Sequence, residues 1–121
     1  MVYAASHLSL SALEYLVHID VEDTPSDLIA LAIEVPDNAG EVVLSAGDLP
    51  DGWREMPPPP ACAQLGDQWI AKNRALLLRV PSVIVPEETN VLLNPAHPRA
   101  GEVRVERTRP FAYDPRLLPG A

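Results

Sequence analysis

Between Ser6 and His18 the apolar residues Leu10, Leu13, Leu16 and Val17 recur at helical spacing, with Ala12 on the same side. That pattern predicts a helix with Ser6 as its N-cap. The turn-forming cluster Asp23-Thr24-Pro25-Ser26-Asp27 follows. Beyond it, Leu28 to Val35 is a β-compatible run that Pro36 stops, which predicts a buried or half-buried strand. Glu41 to Leu44 is a shorter strand candidate, and Gly47 to Gly52 carries turn residues that lead into Trp53. Pro57 to Pro60 fit neither a helix interior nor a central strand, so an extended surface loop is expected there.

Helical spacing returns from Ala61 to Arg74 through Leu65, Trp69 and Ile70. Ala75 to Val80 and Ser82 to Val85, punctuated by Pro81 and Pro86, read as consecutive strands or one bent strand. Val91 to Leu93 is a further short apolar piece. Val103 and Val105 alternate with charged neighbours between Glu102 and Thr108, the pattern of a half-exposed strand. The tail from Asp114 to Pro119 is expected to pack along the surface. Helices and strands do not alternate regularly, so an α+β fold with mixed sheets and few helices fits better than a doubly wound sheet.

The length of 121 residues, 47% of them apolar, suits one domain spanning residues 1–121. Seventeen acidic against nine basic side chains give a net charge of −8. That balance offers no basic field for a nucleic-acid backbone or an anionic membrane surface. The longest apolar run, Leu28 to Ile33, is far short of the roughly 20 residues that span a bilayer. The opening MVYAASHL lacks the basic and apolar regions of a signal peptide, so a cytoplasmic location is expected. Cys62 is the only cysteine, which excludes an internal disulfide and the cysteine-rich zinc motifs.

No phosphate-binding glycine loop, HExxH helix or GxSxG elbow occurs. On the first helix His7, Ser11, Glu14 and His18 share one face, either a solvated face with a Glu14–His18 pair or a cleft wall bearing a carboxylate. Ser82 is the only small hydroxyl within RVPSVIVP and by pattern alone reads as a tolerated strand residue. His97 lies in a proline-bounded loop, and three scattered histidines give no metal-ligand spacing. Trp53 and Trp69 read as packing anchors, and Cys62 has no visible activating partner.

Five segments resemble a known family: VYAASHLSLSALE (2–14), LPDGWR (49–54), GDQW (66–69), RVPSVIVPEETNVLLNPAHP (79–98) and RPFAYDPRL (109–117). They cover almost the whole chain and resemble the RES domain family, the toxin half of bacterial toxin–antitoxin pairs, named for an arginine, a glutamate and a serine. The resemblance implies an ADP-ribosyltransferase-like fold that holds NAD+ as substrate in a cleft between sheets, with no metal. It assigns Glu14 and Ser82 as catalytic residues and Tyr3 as an NAD+-binding residue, and it implies cleavage of the nicotinamide–ribose bond with water, phosphate or a protein as acceptor. An Xre-type antitoxin is the implied partner.

The family's arginine comes from a segment resembling GxRWN upstream of that tyrosine, whereas the first arginine here is Arg54 in an unrelated motif. The expectation is therefore a truncated or degenerate member, with a non-catalytic module that binds an antitoxin or its own copy as the alternative. Uncovered sheet edge or apolar surface in such a chain is expected to favour homo-oligomers. Tyr3, Glu14 and Ser82 are expected to meet at one cleft.

Overall fold

A computed structural model describes residues 1–119, so the last two residues of the expected 1–121 domain lie outside the described part. The fold is α+β. Its four-stranded sheet takes the order β1 (Val2–Ala5), β5 (Thr89–Leu93), β4 (Leu77–Pro81), β3 (Glu41–Val43), antiparallel except where β3 runs parallel to β4. A second sheet pairs β2 (Leu28–Glu34) with β6 (Arg104–Phe111) in antiparallel fashion. Two α-helices complete the frame, α1 (Leu8–Leu16) and α2 (Pro60–Lys72).

Register decides which residues meet. Tyr3 stands opposite Leu92, Ala5 opposite Asn90, Leu78 opposite Leu92 and Val80 opposite Asn90, so these side chains share one face of the larger sheet. α2 covers that face by burying Trp69 against Leu78 and Leu92, with Ile70 and Val80 packed around them. The other face carries Leu77 and Leu93, which join Leu76 and Ala39 in a second cluster that Val35, Val91, Ala100 and Val103 border. Leu76 is fully buried. Residues immediately after the β2 strand and before β6 thus pin the small sheet to the large one.

Several boundaries differ from the sequence expectation for identifiable reasons. The N-cap of α1 is His7, with extended backbone and no side-chain cap bond, rather than Ser6. Ser6 uses both its amide (3.1 Å) and its hydroxyl (3.2 Å) on the Thr89 carbonyl, fastening the end of β1 to β5. Ser82 to Val85 form a bend instead of a strand. The Ser82 Oγ accepts the amides of Ile84 (3.0 Å) and Val85 (3.1 Å), and side-chain acceptance of this kind competes with a strand ladder. Pro60 belongs to α2, at the first helical position where its missing N–H costs nothing. Asn73 closes that helix in the left-handed conformation, and its Oδ1 accepts from the buried Asn94 at 2.8 Å. The tail forms a short 3-10 turn over Pro115–Leu117 with exposed Leu117.

Just after β6, Tyr113 is buried, packs edge-on against Phe111 and donates its hydroxyl to the Ala12 carbonyl of α1. Burial pushes the phenol above its ordinary value, and Tyr15 adds to the shift. The folded state therefore holds this proton more tightly than the unfolded chain does. The associated stability is full below the ordinary tyrosine value near 10 and is lost as pH rises through the higher folded value. Tyr113→Phe should cost about 1 kcal/mol at neutral pH, from one lost hydrogen bond, and should flatten the alkaline loss of stability. Urea unfolding at neutral and alkaline pH checks this. An equally steep alkaline decline in the phenylalanine variant would assign that decline to other groups.

Candidate active site

The chemistry-bearing group on α1 is Glu14, a half-buried carboxylate one turn beyond the fully buried Leu10. Leu10 anchors the helix on the side from which Glu14 projects, since positions four apart stack on one face. The Glu14 Oε1 accepts two hydrogen bonds, from Ser82 Oγ at 2.6 Å and from Asn90 Nδ2 at 2.9 Å. Its other oxygen, Oε2, carries no hydrogen bond among the described residues. Two donors on one oxygen fix the carboxylate's rotation and leave the second oxygen with its lone pairs free.

Both donors are themselves held. Ser82 is completely buried, and its hydroxyl hydrogen is committed to Glu14 while its lone pairs take the Ile84 and Val85 amides. The bend is closed by the Ser82 amide on the Glu88 carbonyl (2.9 Å) and by Arg54, whose guanidinium donates to the Val83 carbonyl at 3.2 and 3.3 Å. Asn90 sits within β5 between Ala5 and Val80. Its Nδ2 reaches Glu14, and its Oδ1 is buried without a hydrogen-bond partner. A buried amide oxygen left unpaired costs free energy and is available to any donor that arrives.

A cleft of about 950 Å³ opens between the two sheets beside α1. Tyr3, Ser11 and Tyr15 are among its walls, together with residues of β2, β4 and β6. Tyr3 is 76% exposed, so its ring stands free for a ligand face. Glu14 and Ser82 are not among the lining residues; Glu14 stands on the Leu10 side of α1, where its neighbour three positions back, Ser11, lines the cleft. The structure thus brings Glu14 and Ser82 into direct contact; Tyr3 borders the cleft from the edge strand, and its side chain stands on the sheet face that carries Asn90, opposite the Leu77 and Leu93 face.

The other candidates have structural partners. His7 and His18, on the same stripe as Glu14, are exposed and make no Glu14 contact among the described residues. His97 Nδ1 accepts the Arg99 amide at 3.0 Å, which stabilises its own loop. Trp69 is a core residue, and Cys62 is a free, half-buried thiol on α2. No cluster of histidine, cysteine or carboxylate groups suited to a metal occurs among the described residues.

Two residues absent from the sequence reading of the site belong to it by geometry, Asn90 and Arg54. Arg54 had a signal, since LPDGWR was one of the segments that carried the family resemblance. Asn90 had none beyond its place inside the longest such segment.

Residues 1–114 match the RES domain family. The chain is 44% identical to the Prs ADP-ribosylating toxin of Sphingobium sp. (strain YBL2) over 120 residues, covering 98% of this chain and 74% of that protein. It is 39% identical to Toxin Res of Yersinia enterocolitica over 118 residues, or 96% of this chain and 76% of that one. Toxin Res of Pseudomonas putida is 40% identical over 120 residues, 98% of this chain and 79% of its own length.

Proposed function

Because the chain belongs to the RES domain family, we propose that it is a toxin domain that binds NAD+ and breaks the bond between nicotinamide and ribose. The observation that carries this reading is the Glu14 carboxylate, with Oε1 clamped by Ser82 and Asn90, Oε2 free, and an open cleft on the adjoining side of the same helix.

The bond between ribose C1′ and the nicotinamide nitrogen breaks with its electron pair going to the ring, which leaves as neutral nicotinamide. Positive charge then develops on the ribose as an oxocarbenium-like centre. A fixed carboxylate opposes that charge without first having to reorient, the kind of preorganised electrostatic group that accelerates glycosidic cleavage. An acceptor oxygen closes the new bond to C1′ and releases its proton to solvent. Tyr3 offers its ring as a platform for the substrate. In this scheme Ser82 acts through Glu14, because its hydroxyl is already engaged there.

Water, phosphate or a protein side chain as acceptor gives ADP-ribose, its phosphorylated form or an ADP-ribosylated protein. The name of the Sphingobium relative, an ADP-ribosylating toxin, favours the last. A toxin that consumes NAD+ acts in the cytoplasm and requires a neutralising partner, for which we take an Xre-type antitoxin. Exposed Ile29 and Leu31 on β2 provide apolar surface for that partner or for a second copy.

Incubating the purified chain with NAD+ and following nicotinamide release tests the proposal. Release above the uncatalysed background is expected, with the co-product identifying the acceptor. NAD+ binding without release would instead make the chain a non-catalytic module.

A further inference from the structure

The protein carries seventeen acidic side chains and nine basic ones, yet no carboxylate is among the residues that line the cleft. Three of the nine basic residues are there, Arg79, Arg107 and Arg109. A cleft that excludes the chain's dominant charge and gathers the minority one is electrostatically suited to an anion. Arg79 is neutralised by its ion pair with Glu41. The remaining cationic character comes from β6.

Arg107 and Arg109 stand two positions apart on β6, opposite Ala32 and Ala30 of β2. Residues two apart on a strand project from the same face, separated by roughly 7 Å along it. Their cross-strand neighbours are methyl groups, which leaves the space above Ala30 and Ala32 open for the guanidinium groups and whatever they bind. Arg109 is steered by Phe111, its guanidinium lying 5.6 Å from the ring centroid. Arg107 has no hydrogen bond or ion pair among the described residues. Both side chains are solvent-accessible, and neither is consumed by a carboxylate.

We infer that Arg107 and Arg109 form an anion subsite that takes the pyrophosphate bridge of the dinucleotide, in the cleft that α1 also lines through Ser11 and Tyr15. The inference rests on the NAD+ reading for the identity of the ligand, but the subsite itself is set by the charge and spacing of β6. A guanidinium binds phosphate oxygens through paired N–H donors, and two guanidinium groups from one strand face suit two linked phosphates. They compensate the overall negative charge that would otherwise repel a dinucleotide.

The test measures binding of NAD+ and, separately, of inorganic pyrophosphate by calorimetry to the wild-type chain, to Arg107→Ala, Arg109→Ala and the double variant, and to Arg104→Ala, which matches each single variant in charge. Arg104 lies on the same strand but lines a different depression, with Glu34 and Glu102. Loss of about tenfold in affinity per cleft arginine is expected for both ligands, with Arg104→Ala near wild type. Circular dichroism verifies that each variant folds, and a glutamine pair at 107 and 109 replaces the alanines should they not. Undiminished NAD+ affinity in the double variant would overturn the subsite and leave the NAD+ reading standing. Arginine-dependent pyrophosphate binding in a chain that does not bind NAD+ would support the subsite and remove the NAD+ reading. An equal loss in Arg104→Ala, or no binding of either ligand by wild type, would overturn the subsite.

Discussion

Glu14→Gln should lower the rate of nicotinamide release by a factor on the order of 10²–10³ while leaving the fold intact. The amide has the size of the carboxylate, so Leu10 still anchors α1 and the side chain still reaches Ser82 and Asn90. Its carbonyl oxygen can accept the same two bonds that Oε1 accepts now. What disappears is the negative charge on the free oxygen, which is the part of Glu14 that meets the oxocarbenium-like ribose. The loss should fall on kcat more than on KM, since that charge interacts more strongly with the transition state than with bound NAD+. Ser82→Ala and Asn90→Ala each remove one donor from Oε1 and keep the charge. They should therefore lower kcat by less than Glu14→Gln does. Folded Glu14→Gln protein that turns over at the wild-type rate would reduce Glu14 to a polar helix position and end the proposed mechanism.

Periodicity made some of this legible and topology hid the rest. The leucines of the first helix and the run from Leu28 mark their elements by spacing, although of the α1 leucines only Leu10 is buried and β2 alternates half-buried with exposed positions along most of its length. Strand β1 has no such mark. Val2–Ala5 is a four-residue edge strand, and its partner is β5, near the other end of the sequence. Spacing alone leaves Glu14 on either a solvated stripe or a cleft wall, and only the family resemblance singles it out together with Ser82. The hydrogen bond between them joins residues 68 positions apart, a distance no local pattern encodes. Asn90 was invisible for the same reason, because its role arises from facing Ala5 and Val80 in a register that the assembled sheet sets. The pattern reads the bend at Ser82 as strand because apolar, β-branched residues around two prolines fit either state. The bonds from the Ile84 and Val85 backbone amides to the Ser82 hydroxyl decide it.

The largest expected effect on stability belongs to Trp69. It is 7% exposed, lies on the inner face of α2 and packs between Leu78 of β4 and Leu92 of β5. Trp69→Ala should cost about 4 kcal/mol, because it removes the buried ring and leaves a void that a short helix cannot collapse into. For a domain with total stability of roughly 5–15 kcal/mol that is a large share. The indole Nε1 is buried with no hydrogen-bond partner, so the tryptophan already bears an unpaired donor. Trp69→Phe removes that donor along with part of the ring, and the two changes offset each other. The phenylalanine variant should therefore lie much nearer wild type than to alanine in urea unfolding. The site should report the same difference, because β4 leads into the Ser82 bend and β5 carries Asn90. Loosening the helix beneath those strands loosens both donors on Glu14. Residual turnover in Trp69→Ala, measured at a temperature where it remains folded, should fall, whereas Trp69→Phe should keep most of it. A phenylalanine variant as unstable as the alanine one would show that the indole's shape, rather than its apolar area, holds α2 against the sheet.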